Sequence, residues 1–313
     1  KARPSSPARA LRACCCKPLV MRDWRLLAAA AVSAALAWGA VGEPLRAAVP
    51  GSKDLGQTLE DLDQRCQSTR LRGDLKTLRR VQRQLLEVSP APQPLPVVLA
   101  NADALLRCGA PDSALVVLSR YSPSPGAEQV QWLLLQWRAA NGALDHRLAA
   151  DALRRLAIAA GQSLEQLQLP VAELSPGRWR QQSALDLLAG HLDAIGQPEQ
   201  ASQVLLSGRT TGLVMAQRLG QAAALASAMP LDTRLHWLDL ALEQAAAVGA
   251  WGLAVSLLDQ QLALLVDQPP ERRRRVEQRR QRLAHRLDDA AGLNPAAVRS
   301  PHDPGGHAAS PQP

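Results

Sequence analysis

Residues 185–206 read LDLLAGHLDAIGQPEQASQVLL, and the fold is decided by what that stretch becomes. Two short amphipathic segments meet at Gly196. The same arrangement recurs at 98–118, VLANADALLRCGAPDSALVVL, and at 238–258, LDLALEQAAAVGAWGLAVSLL. Each has a glycine (Gly109, Gly196, Gly249) followed five residues later by an alanine (Ala114, Ala201, Ala254). Glycine stops a helix well because it reaches positive φ without a Cβ clash. Alanine early in the next helix lets that helix come close to its partner. Eleven residues before the glycines stand Val98, Leu185 and Leu238; nine after stand Leu118, Leu205 and Leu258; seven before stand Ala102, Ala189 and Leu242. These offsets fit 3.6-residue periodicity on two antiparallel helices, and no period-2 strand pattern stands out.

The spacing of bulky residue, small residue, turn glycine and alanine resembles the tetratricopeptide repeat, in a degenerate form of the exported bacterial type. Leucine replaces most of that family's aromatic residues; Tyr121, twelve after Gly109, is the one match. The closing proline is missing after Gly196 and Gly249, and the glycines lie 87 and 53 residues apart. The resemblance implies an all-α fold of stacked antiparallel helical hairpins, an α-solenoid, over residues 97–270. It also implies a groove that holds a protein or peptide segment.

Composition agrees with helices. Leu, Ala, Gln and Arg dominate, and Phe is absent from the 313 residues. The net charge of +8 is unevenly spread. Residues 1–42 carry seven basic groups and one acid, and 271–291 carry eight arginines and four acids, so the body between is near neutral. Such a body argues against a large nucleic-acid surface.

Residues 1–20 are Pro-, Arg- and Cys-rich without helical period and are expected to be a disordered leader or upstream sequence. From Met21 the order changes. Arg22 and Arg25 precede the apolar run LLAAAAVSAALAWGAV at 26–41, with small residues before Glu43. Residues 21–42 are therefore expected to form a secretory signal peptide, or an uncleaved membrane anchor. The chain is then exported to a periplasm or lumen, or anchored facing it. Helices are expected at 54–70, 74–88, 127–140, 145–160 and 210–229, with turns at Gly73 and at Asn141-Gly142. Residues 43–96 make an N-terminal helical section closed by the linker SPAPQPLP at 89–96. Residues 163–177 look like a Pro-punctuated connection, with the 185–206 hairpin starting near Arg178. Asp232 is the expected N-cap of the last hairpin. Residues 292–313 form a disordered tail.

Few residues suggest chemistry. Cys66 and Cys108 are read as two buried thiols, with one disulfide as the alternative in an exported chain. His146, His191 and His236 lie 45 residues apart. Asp232, His236 and Asp239 would share a helix face, but the set is read as a cap, a surface acid and a solvated histidine rather than a metal site. His302 and His307 lie in the tail, where His-rich tracts bind metal weakly, but two are too few to argue from. Motifs for nucleophilic, zinc, nucleotide and dinucleotide chemistry are missing, and no catalytic residue, cofactor or metal is assigned.

The sharpest local feature is ERRRRVEQRRQRLAHRLDD at 271–289, with Arg272, Arg275, Arg279, Arg282 and Arg286 on one stripe beside the thin apolar edge Val276, Leu283 and Leu287. It is read as a capping helix with a solvated face; the alternative is contact with an anionic membrane surface. Together these readings point to a non-enzymatic protein-binding scaffold. The alternatives are a helical-toroid enzyme using acids such as Asp186 or Asp239, and a structural envelope protein.

Overall fold

The computed structural model describes residues 52–88, 93–175 and 177–293, all within the unit Pro50–Pro313. The leader, the signal or anchor segment, residues 89–92 of the 89–96 linker, His302, His307 and the tail from 294 onward lie outside the described residues. Among those described there are twelve helices and one two-stranded sheet. The first six helices are α1 (Ser52–Arg72), α2 (Leu75–Glu87), α3 (Leu95–Arg107), α4 (Pro111–Leu118), α5 (Ala127–Gly142) and α6 (His146–Ala159). The strands β1 (Gln168–Ser175) and β2 (Arg178–Ser183) follow. Then come α7 (Ala184–Ala194), α8 (Pro198–Leu206), α9 (Leu213–Leu225), α10 (Leu231–Ala247), α11 (Trp251–Leu264) and α12 (Pro270–Leu293). Every helix packs on its successor; in addition α1 packs on α3, α3 on α5, α2 on α4 and α9 on α11.

The three expected hairpins form as α3–α4, α7–α8 and α10–α11. Their elbow glycines have φ of 71°, 75° and 69°. The amide three places past each helix end reaches back to the helix: Ala110 to Leu105, Gln197 to Leu192 and Ala250 to Ala245, at 2.9, 2.9 and 2.8 Å. These bonds satisfy carbonyls that a helix end otherwise leaves open. Ala114, Ala201 and Ala254 are buried, as are the apolar residues flanking each elbow at the positions named above. Enlarging one of these alanines would overpack the crossing, at about 1–3 kcal/mol.

A fourth elbow of the same kind has no glycine. Leu144 takes φ 59°, and Asp145 N–H donates to the Ala140 carbonyl at 2.9 Å. The expected turn at Asn141-Gly142 is therefore displaced: Gly142 still belongs to α5, and the chain reverses at Leu144. Counting from Leu144, Leu133, Trp137, Ala149 and Leu153 fall at the same offsets as in the other hairpins, and all four are buried. Asp145 caps α6 by accepting from Leu148 N–H at 3.0 Å, as Asp74 caps α2 by accepting from Thr77 N–H at 3.1 Å.

Other boundaries also differ from expectation. The connection at 163–177 contains a strand, and Arg178 begins a second strand rather than a helix. β1 and β2 pair antiparallel from Gln168↔Ser183 to Ser175↔Arg178, with two irregularities. Pro170 is unfavourable in the interior of a helix, and Leu167 and Leu169 are buried in the core. Ser183 caps α7, accepting from Asp186 N–H at 3.2 Å. The 210–229 helix shortens to α9. Pro230, not Asp232, precedes the first turn of α10, and Asp232 makes no cap bond.

Cys66 and Cys108 are joined in a disulfide, which corrects the reading of two buried thiols. The bond links α1 to the end of α3. The core has two clusters, one running from α1 to α8 and one from α9 to α12. Helix α9 is the wall between them, giving Ala222 to the first and Ala216, Leu219 and Ala223 to the second.

Candidate functional site

An open depression of about 440 Å³ lies where α6, α7 and α8 meet, lined by Arg154, Leu192, Gln200, Gln203, Val204 and Ser207. Apolar side chains form part of it. One guanidinium and two carboxamides supply donors and acceptors suited to an extended backbone. A second polar feature crosses three hairpins. Asp63 on α1 pairs with Arg107 on α3 at 3.0 Å, Arg107 also holds Asp103, and Arg138 on α5 reaches Asp103 at 3.0 Å.

Asp186, an acid considered for catalysis, belongs instead to a buried clamp. Arg218 on α9 is 3% exposed. Its Nε donates to Asp186 Oδ1 at 2.6 Å, its second Nη donates to Asp186 Oδ2 and Ser183 Oγ at 3.1 Å each, and its first Nη donates to Glu165. Glu165 also accepts from the backbone N–H groups of Arg209 and Thr210, both at 2.9 Å. Burial alone would raise the Glu165 pKa. The hydrogen bonds from Thr210, Arg209 and Arg218 overcome it and hold the carboxyl at about 2. Burial likewise acts to lower the Arg218 pKa, and its bonds to Asp186 and Glu165 raise it instead. Two carboxylates locked on one guanidinium tie the segment before β1 and the start of α7 to α9.

Two of the three evenly spaced histidines meet. His146 and His191 approach Nδ1 to Nδ1 at 3.0 Å, and Trp137 Nε1–H donates to His191 Nε2 at 3.4 Å. The third, His236, is exposed on α10 away from that pair. The carboxylates on either side of it are occupied. Asp232 accepts from Arg272 at 2.6 Å; Asp239 accepts from Gln261 at 3.0 Å and from Arg279 at 3.1 Å. Among the described residues no group of three or more His, Cys, Asp or Glu side chains could hold a metal.

Three of the α12 arginines reach the neighbouring helices, and Arg273 pairs with Glu277 within α12 at 2.9 Å. Arg272 and Arg279 pair with α10 as just described, and Arg280 pairs with Asp259 on α11. Val276 and Leu283 pack into the second core cluster. Arg275, Arg282 and Arg286 stay exposed. The helix is thus fastened across α10 and α11 by part of the stripe that could have faced an anionic surface. No described helix is long and apolar enough to cross a membrane.

No family model, curated protein or solved structure matches this chain. What the sequence left out of the site is tertiary. The partners of Arg272, Arg279 and Arg280 lie 40, 40 and 21 residues away, and the clamp on Arg218 draws acids from 53 and 32 residues away. Helical spacing finds neighbours three or four apart and is blind to these.

Proposed function

We propose that this chain is an exported or membrane-anchored helical-repeat scaffold, tetratricopeptide-like in degenerate form, that binds a segment of another protein without acting on it chemically. The observation that carries the reading is the succession of like elbows. Gly73, Gly109 and Leu144 all have positive φ and are 36 and 35 residues apart, close to the roughly 34-residue repeat of that family. The next intervals, to Gly196 and to Gly249, are 52 and 53 residues. Each holds one additional unit, the β-hairpin in the first and α9 in the second. On this reading the uneven spacing of the glycines is that of a repeat with one unmarked elbow at Leu144 and two longer intervals.

Repeats of this kind bury their apolar faces against neighbours and leave extended surfaces for a partner. The partner segment lies in the depression between α6 and α8, its backbone bonded by Gln200 and Gln203 and an acidic group held by Arg154. The Cys66–Cys108 disulfide supports an oxidising compartment, where such bonds form and persist.

The test is a photo-crosslinking amino acid placed at Gln203 in the full chain, expressed in its native cell, with Val116 as the control position. One discrete protein adduct at 203, lost on Arg154→Glu and missing at 116, is the expected result. Equal diffuse labelling at both positions would overturn the proposal.

A further inference from the structure

The α1–α2 corner carries a charge pattern that nothing in the fold uses. Lys76, Arg79, Arg80 and Arg83 occupy positions i, i+3, i+4 and i+7 of α2, which places them on one helix face. All four are exposed, and no carboxylate of the described residues forms an ion pair with any of them. With Leu75 they line an open depression of about 500 Å³. On α12, by contrast, Arg272, Arg279 and Arg280 are matched by aspartates on the helices beneath. The turn leading into α2 adds a second, independent feature. Leu71 is 90% exposed and Leu75 64%, on either side of Gly73. Arg70 and Arg72 flank Leu71, and Lys76 follows Leu75.

We infer that this corner is a docking surface for an anionic phospholipid bilayer, with Leu71 and Leu75 entering the interface and the α2 cations resting on lipid phosphates. Two exposed leucines next to a cluster of cations match the layering of a bilayer, where an apolar zone lies just beneath a charged one. A nucleic acid would satisfy the cations and leave both leucines in water. An acidic polypeptide would satisfy the cations too, but requires no apolar tip. The surface is distinct from the α6–α8 depression and stands whether or not that depression holds a protein.

The test uses the full chain with an environment-sensitive amino acid at position 71, so that the signal comes from this corner and not from the N-terminal apolar run. Vesicles of phosphatidylglycerol mixed with phosphatidylcholine should shift its emission to the blue and shield it from aqueous iodide. Phosphatidylcholine vesicles alone should not, and high salt should weaken the effect. The combined change K76E, R79E, R80E and R83E should lower partitioning at this site by about a hundredfold or more, with helicity unchanged. Leu75→Ser, which leaves every charge in place, should reduce the blue shift. The inference is overturned by a probe that stays exposed on anionic vesicles. It is equally overturned by shielding that survives the fourfold charge reversal, or by shielding that soluble polyglutamate or RNA produces as well as vesicles do.

Discussion

His191 and His146 share one proton position between their Nδ1 atoms, 3.0 Å apart, and Trp137 determines which ring donates. Because Trp137 Nε1–H donates to His191 Nε2, that nitrogen carries no hydrogen in the neutral ring. His191 Nδ1–H therefore donates to His146 Nδ1. Protonating His191 would add a charge in a site only 5% exposed and break one of its two bonds. Burial first, and then the electrostatic influence of His146, lower the His191 pKa to about 4.

A depressed histidine pKa sets a direction for stability. The unfolded chain takes up this proton near pH 6.5 and the folded chain near 4, so stability is full above about 6.5 and declines between those values. The loss between pH 7 and pH 5 is about 2 kcal/mol, from about 1.4 kcal/mol per pKa unit. Urea unfolding at the two pH values measures it, and His191→Gln should remove most of the difference. Glu165, also depressed, adds a second decline at lower pH, between its ordinary 4.5 and about 2.

Breaking the Arg218 clamp should be far more costly than breaking a surface pair. Arg218→Met leaves Asp186 and Glu165 partly buried without their cation, at about 3–5 kcal/mol. Arg218→Lys should recover only part of this, since an ammonium cannot bond Asp186 and Ser183 with a planar fork. Arg155→Met, which removes an exposed i,i+4 pair with Asp151, should cost less than about 0.5 kcal/mol through that pair. Thermal unfolding of the three variants decides the order.

Leu144 and Gly196 should respond in opposite senses to exchange of their side chains. Leucine at φ 59° is strained, and its side chain is 72% exposed, so little packing is lost on truncation. Leu144→Gly should stabilise by about 0.5–1 kcal/mol, and Gly196→Ala should destabilise by about 1 kcal/mol. Differential scanning calorimetry of both variants tests the pair.

The same residue explains where sequence reading stopped. Gly109, Gly196 and Gly249 are legible as elbows because glycine at a helix end has a local physical cause. Leu144 breaks that local rule, so no glycine marks the elbow there. The β-hairpin was hidden because Pro170 and Gly177 look like punctuation of a loop, while the pairing that makes strands is non-local. Val276 and Leu283 mark the inner edge of α12 from spacing alone. Its arginine partners, like the meeting of His146 with His191, depend on which helices become neighbours.

Removing the disulfide should destabilise without dismantling the hairpins. It closes a loop of 42 residues between α1 and α3, for which chain entropy gives about 3–4 kcal/mol. The double change C66A and C108A should lower the unfolding midpoint accordingly and leave the helical circular dichroism in place.

The proposed repeat of elbows is tested most directly by amide hydrogen exchange at Ala110, Asp145, Gln197 and Ala250. Each N–H donates to the carbonyl five residues earlier, at 2.9, 2.9, 2.9 and 2.8 Å in that order. All four should exchange about a hundredfold or more slower than in an unstructured peptide, Asp145 included. Exchange at the free-peptide rate at Asp145, with the other three protected, would contradict an elbow at Leu144 and with it the proposed repeat.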